Sequence, residues 1–128
     1  MAGPARAGAL IYAKDLSRVS EFYQQLFDMK LLKADSEHHV IESADIQLII
    51  HAIPAHIANT ISISSPPEPR SEQAIKLFFT VPSISATEKI AAAFGGSLFG
   101  DEYTGPKIKV RNGSDPEGNI FHVRENML

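Results

Sequence analysis

Residues 9–27 read Ala9-Leu10-Ile11-Tyr12-Ala13-Lys14-Asp15-Leu16-Ser17-Arg18-Val19-Ser20-Glu21-Phe22-Tyr23-Gln24-Gln25-Leu26-Phe27. The first five form a short apolar run of strand character. After Lys14-Asp15, the apolar residues Leu16, Val19, Phe22, Tyr23, Leu26 and Phe27 recur at the spacing of a helix with one buried face. The order is strand, cap, helix.

The same order returns in the second half of the chain. Leu77-Phe78-Phe79-Thr80-Val81 is a second strand, Pro82-Ser83 a break, and Ile84, Ile90, Ala91 and Phe94 share one helical face. Ser85 with Glu88 three residues on predicts a capping box, and Gly95-Gly96 predicts the stop. Three short strands are expected after each helix: Lys30 to Ala34, His39 to Glu42 and Ile46 to His51, then Ser97 to Phe99, Lys107 to Arg111 and Ile120 to Arg124. Each half therefore reads β-α-β-β-β. The intervening stretch holds Pro54, Pro66, Pro67 and Pro69, too proline-rich for a central strand, and is expected to be a linker with one irregular strand at Thr60 to Ser64.

The expected organisation is one domain over residues 1–128, with a first module at 7–52, a linker at 53–73 and a second module at 74–126. One such module has a sheet covered by its helix on one face and bare on the other, so it must pair. The fold class is α+β: two βαβββ modules in tandem, their bare faces curving into a mixed-sheet cup, the natural place for a small ligand.

Composition narrows the function. The 128 residues are 44% hydrophobic and 21% charged, an ordinary globular balance. Twelve Lys and Arg against fifteen Asp and Glu give a net charge of −3, which argues against nucleic acid as a partner. The longest apolar run, Ile46 to Ala58, is cut by Gln47, His51, Pro54 and His56, which argues against a membrane partner. The absence of Cys and of a signal-type N-terminus favours a cytoplasmic location. No Gly-x-Ser-x-Gly elbow or Walker-type loop is present, and Gly95-Gly96-Ser97-Leu98-Phe99-Gly100 follows a helix rather than a strand.

The chain resembles the vicinal oxygen chelate superfamily, which includes glyoxalases, bleomycin resistance proteins and extradiol dioxygenases. The resemblance rests on Leu10 to Leu16 leading into Phe22 to Phe27, on Phe94-Gly95-Gly96, and above all on Asp115-Pro116-Glu117-Gly118-Asn119-Ile120-Phe121. Without the resemblance, Asp115 to Asn119 is a well-formed turn before a strand, with Pro116 presetting φ and Gly118 free to take positive φ.

The resemblance implies the cup fold, a homodimer, and in the family's enzymes a divalent metal held by one ligand from the first and one from the fourth strand of each module. Those positions fall on Gly8, Gln47, Lys76 and His122, of which only Gln47 and His122 can ligate. Two neutral ligands are fewer than catalytic sites supply, so the expectation is no resident cofactor and no four-ligand metal site. A divalent metal held by Gln47, His51 and His122 is the alternative. It would make the chain a glyoxalase-like lyase or isomerase, or a ring-cleaving dioxygenase, and His51 or His122 the candidate general base. The adjacent His38 and His39 are expected on opposite faces of one strand.

Strand alternation assigns the cup lining. Leu10, Tyr12, Ile49 and Phe78 give apolar walls, with Gln47, His51 and His122 among them, and Lys76, Lys107, Lys109, Arg111 and Arg124 give positive charge. No Asp or Glu is expected among them. Such a lining favours an anionic metabolite with an apolar body and disfavours the cationic drug that bleomycin-sequestering relatives bind. The expected ligand-binding residues are thus Tyr12, Gln47, Ile49, His51, Lys76, Phe78, His122 and Arg124.

Overall fold

The computed structural model describes residues 5–127. The chain divides into two compact units between Ser62 and Ile63.

The first unit holds β1 (Gly8–Ala13), α1 (Leu16–Phe27), β2 (Lys30–Ala34), β3 (His38–Glu42), β4 (Gln47–Ala52) and the short α2 (Ala55–Ala58). Its four strands run in the order β1-β4-β3-β2, with β1 parallel to β4 and the other pairs antiparallel. The Asp15 side chain accepts from the Arg18 N–H to start α1, and Asp28, left-handed at φ 51°, ends it. Val19, Phe22, Tyr23 and Leu26 are buried on the helix side, with Ile41, Leu48 and Ile50 buried on the sheet. At the β3–β4 turn the Ser43 hydroxyl accepts from the N–H groups of Asp45 and Ile46.

The second unit repeats the plan with β5 (Phe78–Thr80), α3 (Ile84–Ala93), β6 (Ser97–Thr104), β7 (Ile108–Ser114) and β8 (Ile120–Asn126), in the order β5-β8-β7-β6. Again the outer pair β5–β8 is parallel and the rest antiparallel. Ile84, Ala91, Leu98, Phe121 and Val123 are buried. Both units are therefore βαβββ modules with four-stranded mixed sheets, the α+β architecture expected.

Two local expectations differ. The irregular strand at Thr60 to Ser64 does not form; α2 precedes it instead, and its Pro54 start is the position where a missing N–H costs nothing. The capping box at Ser85 and Glu88 is also not used. Ser83 caps α3, accepting from the Ala86 N–H, because the helix begins at Ile84, two residues earlier than a Ser85 cap requires. Glu88 instead accepts from Arg111 of β7.

The segment from Ile63 to Leu77 is fastened to the Asp115–Asn119 turn. Asp115 is fully buried, and its Oδ1 accepts from the N–H groups of Glu117 and Asn119 while Oδ2 accepts from the Asn119 side chain. Arg70 donates its backbone N–H to the Gly118 carbonyl and its Nε to the Glu117 carbonyl. Gln73 closes the clasp, accepting from the Ile120 N–H and donating to the Ile120 carbonyl. Gly118 is required here: φ is 86°, and a Cβ would lie 2.2 Å from the Glu68 carbonyl oxygen. The turn motif thus anchors the segment leading into β5.

Candidate ligand-binding faces of the two sheets

Each sheet has one face under its own helix and one turned away from it. In the first module β1–β4–β3 register places three cross-strand rows on the latter face: Gly8–Gln47–Glu42, Leu10–Ile49–Val40 and Tyr12–His51–His38. Tyr12 and Leu10 are exposed, and Ile49, Gln47 and His51 half-buried. The structure thus puts Tyr12, Gln47, Ile49 and His51 on one face, but Gln47 and His51 belong to different rows with Ile49 between them. At roughly 3.3 Å per residue their Cα atoms stand about 13 Å apart, so the strand itself does not bring these two together.

Gln47 donates Nε2 to Glu42 Oε1, which also accepts from the Ala5 N–H. Glu42 is an acidic residue on the face that the sequence reading filled only with neutral and basic side chains. Its contribution was hidden because alternation places the whole His38-to-Glu42 run only once the β3–β4 register is known.

His38 and His39 do part as expected. His39 Nδ1 meets the Ser20 hydroxyl of α1, while His38 lies on the other face beside His51. His38 Nδ1 is 2.9 Å from Asp35 Oδ1. The backbone N–H groups of His38 and Glu37 hold the Asp35 carboxyl below its ordinary pKa.

In the second module β5, β8 and β7 place Phe78–His122–Asn112 in one row and Thr80–Arg124–Val110 in the next. The Arg124 guanidinium stands 3.8 Å above the Phe78 ring, and the His122 imidazole stacks on the same ring at 5.5 Å. Arg124 Nε donates to His122 Nε2 at 3.3 Å, and Lys76 donates to Asn112 Oδ1 at 3.1 Å. Partial burial, Lys76 and Arg124 together push the His122 pKa down, favouring the neutral imidazole. All four candidates of this module, Lys76, Phe78, His122 and Arg124, are gathered on one face.

Of the other three cations expected there, Lys109 and Arg111 are not. Lys109 pairs with Glu125 and Arg111 with the buried Val123, which puts both on the helix side. Arg111 confirms it by donating to Glu88 of α3 at 2.6 Å. Lys107 precedes the strand. The alternation of Lys107-Ile108-Lys109-Val110-Arg111 suggested that Ile108 and Val110 pack under the helix, but the register is shifted by one residue relative to that reading. The helix side of β7 instead carries Lys109, Arg111 and Gly113, where a Cβ would meet the Phe121 ring at 2.4 Å.

Of the four positions that the resemblance implies for a metal, Gly8 and Lys76 carry no ligating side chain of the usual kind, while Gln47 and His122 do. Gly8 offers no side chain, and even a Cβ there would lie 2.5 Å from the Gln47 carbonyl oxygen. Lys76 is a cation engaged with Asn112, and His122 Nε2 accepts from Arg124. Among the described residues no three His, Asp or Glu side chains are grouped to hold an ion.

No helix is long and apolar enough to cross a membrane among the described residues. No protein of curated function matched the sequence. Among solved structures, the chain is similar to a glyoxalase/bleomycin resistance protein/dioxygenase family enzyme from Burkholderia phytofirmans PsJN, at TM-score 0.73 and 19% identity, covering 96% of this chain and 99% of that one. It is also similar to a glyoxalase/bleomycin resistance protein from Albidiferax ferrireducens T118, at TM-score 0.67 and 16% identity over 94% and 97% of the two chains. A third is the fosfomycin resistance protein FosX from Mesorhizobium loti, at TM-score 0.66 and 14% identity over 100% and 96%. The glyoxalase-like domain family matches residues 9–124, nearly the whole of both modules. The chain is a member of that family, within the vicinal oxygen chelate superfamily.

Proposed function

We propose that this chain binds a small anionic metabolite on the face of the second sheet turned away from α3, through Arg124 and Lys76, with Phe78 supplying an apolar surface. The observation that carries this reading is the arrangement of Arg124 over Phe78 beside His122, whose Nε2 accepts from the Arg124 Nε. Neither Arg124 nor Lys76 has a carboxylate partner among the described residues. The registered residues of β5, β8 and β7 on this face include no Asp or Glu. Two cations without a counter-charge form a positive spot on a chain of net charge −3, and a carboxylate or phosphate supplies what they lack.

The test is a thermal-shift panel of carboxylates, thioester-linked and phosphorylated metabolites, with calorimetry on any hit. Binding that is lost in Arg124→Gln and Lys76→Gln but retained in Arg111→Gln supports the reading. A panel without any shift, or equal losses in all three variants, sinks it.

A further inference from the structure

The first module carries a second constellation that the anion reading does not use. His38 and His51 are directly opposite on β3 and β4. The Ala52 N–H donates to the Glu37 carbonyl on one side of them, which makes the two histidines a non-hydrogen-bonded pair, the kind whose side chains approach most closely. Their rings are stacked, 23° from parallel, with centroids 6.0 Å apart.

The partners of the two rings fix which nitrogen is free. His51 Nδ1 is 2.8 Å from the Ala52 carbonyl oxygen, which can only accept, so Nδ1 carries the proton and Nε2 the lone pair. His38 Nδ1 faces the Asp35 carboxylate at 2.9 Å, with the same consequence. A carboxylate and a backbone carbonyl are the partners that orient metal-bound imidazoles and raise their basicity. Both rings stand on the face away from α1, at the end of the row begun by Tyr12.

We propose that His38 and His51 form a two-histidine site for a borderline transition-metal dication such as Ni2+ or Zn2+, bound through the two Nε2 atoms with water completing the shell. Imidazole nitrogen suits these ions, and rotation of the two opposed rings out of their stack brings both lone pairs to one ion. The site differs from the family positions at Gly8, Gln47, Lys76 and His122, none of which contributes to it. It also shares no residue with the anion site, so either can fail without the other.

The experiment is calorimetric titration of NiCl2, and separately ZnCl2, into the untagged chain, about one pH unit above the ordinary histidine value. The expected result is one ion per chain, weakened roughly tenfold or more by His38→Gln and by His51→Gln, and several-fold by Asp35→Asn. His122→Gln and Arg124→Gln leave it unchanged. As a measurement on the unaltered chain, substoichiometric Ni2+ broadens the His38 and His51 ring resonances before those of His39, His56 and His122. Absence of binding overturns the proposal. So does binding that survives both His38→Gln and His51→Gln, binding lost in His122→Gln, or broadening that begins elsewhere.

Discussion

The guanidinium of Arg124 lies over the ring of Phe78, 3.8 Å from its centroid, and the same ring carries the stacked imidazole of His122. Phe78 is 52% exposed, so this cluster sits at the solvent-accessible surface of the sheet. The ring therefore holds the cation in place and leaves it free to meet an anion. Exposed cation–π contacts are worth about 0.5–1 kcal/mol, so Phe78→Ala is expected to lower stability only slightly. It should weaken anion binding several-fold, because Arg124 then has more positions to lose on binding. Parallel denaturation and calorimetry check this.

His122 gives the site a pH dependence with a definite sign. Its folded pKa lies below the ordinary histidine value of 6.5, so the unfolded chain takes up its proton first. This histidine therefore withdraws stability as pH falls through about 6.5 and towards the lower folded value. A bound anion reverses the penalty by favouring the charged ring. Anion affinity is expected to rise as pH falls over that interval, by up to about tenfold per unit, and His122→Gln to flatten the profile. Calorimetry across pH reads the slope directly.

Arg111 and Arg124 separate two arrangements of charge. Arg111 ends at Glu88 on the helix side, in a partly exposed ion pair worth about 0.5 kcal/mol. Arg111→Gln should leave anion binding unchanged and cost little stability. Loss of binding in this variant would return β7 to the opposite register.

Gly8 is pressed against the Gln47 carbonyl where β1 runs beside β4. Gly8→Ala is expected to push the strands apart and destabilise the chain by about 2 kcal/mol, the usual cost of overpacking. Gly100, where an added Cβ meets nothing within 4 Å, offers no comparable contact, although its φ of 74° still disfavours a side chain. Urea denaturation of Gly8→Ala measures the cost.

Asp115 is buried and accepts from two backbone N–H groups and the Asn119 side chain. Asp115→Ala leaves those donors without this acceptor, and a loss of about 3 kcal/mol is expected. Hydrogen exchange should quicken at Arg70 and Ile120, whose N–H groups bond to the same clasp. Protection retained at both positions would show that the clasp does not depend on Asp115.

The sequence by itself determined the two β-α-β-β-β modules, the apolar faces of α1 and α3, and the turn at Asp115 to Asn119. These follow from local periodicity and turn chemistry, which need no knowledge of distant residues. It also placed Phe78, His122 and Arg124 on one face, because β5 and β8 each carry alternation that their apolar residues make plain. Only the tertiary structure decided that Arg111 leaves that face, that Glu42 joins Gln47, that a Cβ has no room at Gly8, and that His38 meets His51. Each depends on which residue stands opposite which on another strand. Because side chains alternate with a period of two, a slip of one residue reverses a strand's faces, and pairing between strands rather than composition along one of them sets that register.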